Sequence, residues 1–109
     1  MNQDTAVTRP PPAPYLALAL QTACHAINLC PDVASARAAM MRNIDRVQRQ
    51  ITASRAFIGM GLKLVVAPEY FLTGYPLGDS LPAWAEKAAF APDGPEYQRL
   101  GQMCQTLGI

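Results

Sequence analysis

Residues 62–79 read LKLVVAPEYFLTGYPLGD, an apolar run that stops abruptly at an acid. Leu62, Leu64, Val65, Val66 and Ala67 are bounded by Gly61 and Pro68, the pattern of a buried parallel strand over residues 62–67. Pro68 ends it, because proline offers no amide hydrogen to a ladder and pushes Ala67 into extended geometry. Glu69 therefore falls just past the carboxyl end of the strand. In open α/β sheets that edge holds the active site.

Upstream of this stretch the pattern predicts a strand and then a long helix. Residues 15–21, YLALALQ, alternate large and small apolar side chains, with Tyr15 or Leu16 starting one packed face. Alanine and leucine also favour helix, but the prolines just before and the shortness of the run select a strand. Asp32 follows Pro31 as an N-cap for a helix over residues 33–58. Its apolar seam is Val33, Ala36, Met40, Ile44, Val47, Ile51 and Ile58. At 1.5 Å per residue it spans about 39 Å, enough to cross a sheet. Arg37, Arg42, Arg46, Arg49 and Arg55 lie mostly off the seam and read as a solvated face, with Asp45 and Arg49 spaced to pair. A nucleic-acid surface is disfavoured, since no aromatic residues are interleaved with them. Gly59 and Gly61 stop the helix. Strand, long helix, strand is a right-handed crossover between neighbouring parallel strands in nearly all known cases.

Downstream, Gly74, Pro76 and Gly78 make a turn-rich loop, and either Asp79 or Ser80 caps a short helix through Pro82, Trp84 and Phe90. Trp84 reads first as a packing side chain. Asp93-Gly94-Pro95 opens another helix with the stripe Tyr97, Leu100, Cys104 and Leu107, which Gly108 ends so that Ile109 begins a further strand.

The whole chain sets limits on function. Its 109 residues are 50% hydrophobic with a formal charge of +1, which is one small unit with no electrostatic reason to seek nucleic acid or an anionic membrane. Residues 1–14 are polar and then proline-rich, and are expected to be a disordered leader. Pro10, Pro11, Pro12 and Pro14 break the approach to the short apolar patch at 15–20, which disfavours a signal peptide. No apolar run approaches the roughly 20 residues that span a bilayer. Cys24, Cys30 and Cys104 are an odd number without CxxC or Cys/His spacing, so neither a disulfide framework nor a metal site is called for. His25, Asn28 and Cys30 share the loop 22–31, read as a loop with buried small thiols. A reducing cytoplasm is the expected location.

The nonamer Pro68-Glu69-Tyr70-Phe71-Leu72-Thr73-Gly74-Tyr75-Pro76 resembles the first catalytic motif of the nitrilase superfamily, the carbon-nitrogen hydrolases of nitriles, amides and N-carbamoyl compounds. Gln21 fits the glutamine that ends the first strand in that family. The resemblance implies an α/β fold, with residues 15–109 as the N-terminal, truncated part of a nitrilase-like αββα sandwich: strand, long helix, strand, two helices. It implies that Glu69 is the general base of a Glu-Lys-Cys triad whose lysine and cysteine lie further along than Ile109. It also implies a small-molecule amide or nitrile substrate, no cofactor, and a homo-oligomer at full length. Trp84 would then border the substrate cavity.

Such covalent catalysis needs a nucleophile, a base, and a cation or donor for the developing negative charge. A glutamate serves as base near neutral pH when burial raises its proton affinity, and an apolar strand end beside Tyr70, Phe71 and Leu72 is expected to bury it. None of the three cysteines matches the family's nucleophile. Lys63 lies in the strand and Lys87 on the polar side of a short helix, and neither is given a catalytic role. A rival reading makes the chain a non-catalytic binding or partner subunit that keeps Glu69 as structure.

Overall fold

The computed structural model describes residues 8–109. Of the expected leader, residues 8–14 are exposed and without regular secondary structure, and the remainder of that expectation lies outside the described residues. The elements are β1 (Leu16–Ala19), α1 (Val33–Ile58), β2 (Leu62–Val66), α2 (Leu81–Ala88) and α3 (Pro95–Leu107).

The long helix has the expected ends because both are set within one turn. Asp32 accepts the Ser35 amide at 2.7 Å, and Ser35 Oγ in turn accepts the Asp32 amide at 3.4 Å, a reciprocal capping box. The Ser35 backbone N–H, and then the Ser35 hydroxyl, hold the Asp32 carboxyl below its usual range. Gly59 closes the helix at φ 102°, a conformation glycine adopts freely, and donates to the Arg55 carbonyl. Ala36, Met40, Ile44, Val47 and Ile51 are buried as the seam predicts, while Val33 at its start is exposed. Each large side chain so buried contributes roughly 1.5–3 kcal/mol.

β1 and β2 pair in parallel, with Ala17 opposite Leu64, Leu18 opposite Val65 and Ala19 opposite Val66. The step from Leu16 opposite Leu62 to Ala17 opposite Leu64 leaves Lys63 as an extra residue, a bulge. The ladder is shorter than the predicted 15–21 and 62–67, although the Leu20 amide still reaches the Val66 carbonyl at 2.8 Å. Leu18, Leu20 and Val65 pack toward the core that α1 covers. Expected burial on both faces is not found: Leu64 and Val66 are 44% and 57% exposed. Among the described residues the helices cover one face only.

Further expectations are corrected. The buried face of α3 is Glu96, Met103 and Leu107, with Tyr97 half exposed against the Phe90 ring at 5.3 Å. Leu100 and Cys104 pack half-buried against the core and Leu107 is buried, as the stripe predicts, so the departure is confined to Tyr97. Glu96 is buried beside it, held by Arg37 of α1 at 3.1 Å, and Arg37 also donates to the Ala89 carbonyl. A buried carboxylate left without that partner would be strongly destabilising. Asp45 pairs with Arg99 of α3 at 2.8 Å rather than with Arg49. The arginine face is thus only partly solvated, since Arg46 donates to Asn43 and Arg55 to the Leu107 carbonyl. α2 is capped by Ser80, one of the two caps expected, but it stops at Ala88, before Phe90.

Candidate active site

Glu69 stands three positions beyond Val66, the last residue of β2, where Pro68 has already removed the chain from the ladder. A compact turn follows. The Phe71 amide reaches the Pro68 carbonyl at 3.3 Å, and the Tyr70 carbonyl accepts the Thr73 and Gly74 amides at 3.2 and 2.8 Å. Tyr70 has φ 56°, the one positive-φ residue among the described residues that is not glycine. A bulky side chain keeps that conformation only where its surroundings over-determine it. Here the Tyr70 ring lies 4.6 Å from that of Tyr75.

The loop after β1 holds this turn from the side. The Ile27 amide donates to the Thr73 carbonyl at 3.0 Å, and Asn28 Nδ2 donates to the Tyr75 carbonyl at 2.7 Å. Asn43 Nδ2, from α1, donates to the His25 carbonyl at 2.9 Å and to the Leu72 carbonyl at 2.7 Å. Sequence reasoning passed over Asn43. The available signal was a polar residue on the inward side of α1, three places from Met40 and next to Ile44.

Glu69 itself is exposed, so the burial expected from its apolar neighbours is not provided by the described residues. The apolar character of the motif goes elsewhere. Tyr70, Phe71, Leu72 and Thr73 line one wall of an open groove of about 630 Å³, whose other wall is α2 and the residues after it, including Trp84 and Phe90. Trp84 both packs against the core and lines this groove.

The remaining candidates are dispersed. Lys63 Nζ reaches the Gly108 carbonyl at 3.2 Å. Lys87 lies among polar groups, its side chain 16% exposed and its ammonium bonded to Asp79 at 3.4 Å and to the Asn28 carbonyl at 3.2 Å. Cys24 is exposed rather than buried, its Sγ 3.8 Å from the Tyr70 carbonyl, while Cys30 and Cys104 are half buried against the core. Among the described residues no three His, Cys, Asp or Glu side chains gather as metal ligands.

The fold is mixed α/β, and its acid Glu69 follows the carboxyl end of a parallel strand, the edge at which open α/β sheets bind ligands, with the next four residues lining an apolar groove. The family model for carbon-nitrogen hydrolase matches residues 18–109, which take in the turn and most of the described fold. The chain belongs to the carbon-nitrogen hydrolase family, hydrolases of carbon–nitrogen bonds, and its mixed α/β arrangement agrees with part of a nitrilase-like fold. Neither the curated proteins nor the solved structures give a match.

Proposed function

We propose that this chain carries the general base, Glu69, of a hydrolase acting on a non-peptide carbon–nitrogen bond in a small amide, nitrile or N-carbamoyl compound. The observation that supports the reading is the place of Glu69, at the carboxyl end of β2 on a turn that backbone bonds fix on both sides. A carboxylate there takes the proton of an attacking thiol, and later that of a water, provided a nucleophile and a cation face it. Lys63 and Lys87 are engaged with Gly108 and Asp79, so the lysine and cysteine of a Glu-Lys-Cys triad are assigned to other parts of the full-length protein. The groove beside Trp84 would accept an apolar portion of the substrate. A cytoplasmic homo-oligomer belongs to the same reading.

The exposure of Glu69 favours the second reading, a non-catalytic partner subunit. Ammonia release from a panel of simple amides, nitriles and N-carbamoyl compounds separates the two. The protein from the complete coding sequence should turn over at least one of them, and Glu69→Gln should not. Equal activity of the two proteins would place Glu69 among structural residues.

A further inference from the structure

We infer that Asn43 is the positioning residue of Glu69, an inference that rests on Glu69 being the base. Asn43 is 3% exposed, on a helix face otherwise made of Met40, Ile44 and Val47. Burying an amide there is unfavourable unless its hydrogen bonds are met, and they are met in a particular way. Both hydrogens of its amide nitrogen go to main-chain carbonyls of different segments: His25 in the loop after β1 and Leu72 in the turn after β2. Two carbonyl acceptors fix which end of the amide is nitrogen. The oxygen is held by Arg46 Nη1 at 2.7 Å, so the group cannot swing without losing a third bond.

Leu72 is three residues from Glu69 in the same turn, and between them lies Tyr70 at φ 56°. That left-handed tyrosine stores strain which is released if the turn is free to move. α1 is the longest element of the fold and its caps are closed at both ends, so Asn43 is a fixed post. Removing the bond to Leu72 lets Tyr70 relax and swings the carboxylate that precedes it. A displacement of about 1 Å at a catalytic group costs on the order of 10²-fold in rate. The Ile27 and Asn28 bonds hold the far end of the turn, at Thr73 and Tyr75, and do not replace the bond to Leu72.

The test uses the protein from its complete coding sequence, with Asn43→Leu, Asn43→Ser, Arg46→Gln and Glu69→Gln made side by side. Asn43→Leu keeps the volume and removes both donors. It should lower kcat about 10- to 100-fold with KM changed less than about threefold, and should speed hydrogen exchange of the Thr73 and Gly74 amides relative to amides in α1. Asn43→Ser, retaining one short donor, should fall between wild type and Asn43→Leu. Arg46→Gln, on a half-buried side chain, loosens the Asn43 oxygen and should lower kcat by a smaller factor, which keeps the inference testable if Asn43→Leu fails to fold. Unchanged kcat in the folded Asn43→Ser and Arg46→Gln proteins would overturn the positioning role while Glu69→Gln remains inactive. Full activity in Glu69→Gln would instead overturn the assignment of the base, and the positioning role with it.

Discussion

A Cβ placed on Gly74 would stand 2.6 Å from the Cβ of Ala26 and 3.1 Å from its Cα, so the turn after β2 meets the loop after β1 with no room for a side chain. Gly74 also has φ +77°, which a residue with a Cβ adopts only at a cost. Gly74→Ala is therefore expected to lose about 2 kcal/mol or more of stability in urea unfolding. Gly101, inside α3 with nothing within 4 Å of an added Cβ, should respond oppositely. Gly101→Ala should gain about 0.5–1 kcal/mol. Midpoints that move in the same direction would contradict this account of the interface.

Replacing Glu69 by Gln preserves shape and removes the proton acceptor. Turnover should fall by roughly 10² or more, the usual scale for a general base. Because Glu69 is exposed, unfolding free energy should stay within about 0.5 kcal/mol of wild type. Parallel kinetic and denaturation measurements check the pair of outcomes. A large loss of stability would mean that the carboxyl supports the fold.

The Asp32 cap gives a pH dependence with a defined sign. Its carboxyl is held below the ordinary value of 3.8 by the Ser35 amide and hydroxyl, so the folded state favours the charged form. That contribution is present above the unfolded-state value and disappears as pH falls through the lower folded-state value. Asp32→Asn keeps a capping oxygen without the charge. The difference in thermal midpoint between wild type and Asp32→Asn should hold steady near neutrality and shrink below about pH 4. A difference that grew on acidification would refute the linkage.

The 109 residues expressed alone should associate and should not hydrolyse amides or nitriles. Among the described residues Leu64 and Val66 leave an apolar sheet face open, and each strand of the two-stranded sheet has an unpaired edge of the kind that recruits other chains. Catalysis fails for a separate reason, since a lone carboxylate supplies neither nucleophile nor oxyanion partner. Size-exclusion chromatography combined with the substrate panel decides both points. A monodisperse monomer with activity would require a nucleophile among Cys24, Cys30 and Cys104.

Much of the fold was legible because its signals are local. Asp32 and Gly59 set the ends of α1 through contacts three or four residues away, and Pro68 ends β2 by the chemistry of its own ring. The parallel pairing of β1 and β2 followed from the long helix between them. The nonamer starting at Pro68 identified the family, as the family match over residues 18–109 shows.

What spacing could not carry was the choice of partner among polar side chains far apart in sequence. The i,i+4 rule offered Arg49 to Asp45, yet Arg99 of α3 takes it. Apolar periodicity put Tyr97 on the inner face of α3, yet Tyr97 is half exposed and the neighbouring Glu96, paired with Arg37, is buried instead. The half-exposed Asp45–Arg99 pair is worth on the order of 1 kcal/mol or less, so geometry decides between competing partners.

The sequence by itself determined the order and kind of the elements, both ends of α1, and that an acid follows β2, because backbone hydrogen bonds and proline geometry close within a few residues. Only the tertiary structure decided that Asn43 joins two loops, that Lys87 turns inward to Asp79, and that Glu69 is exposed. These depend on which surfaces α1 brings together across the sheet, and no window of sequence contains both partners.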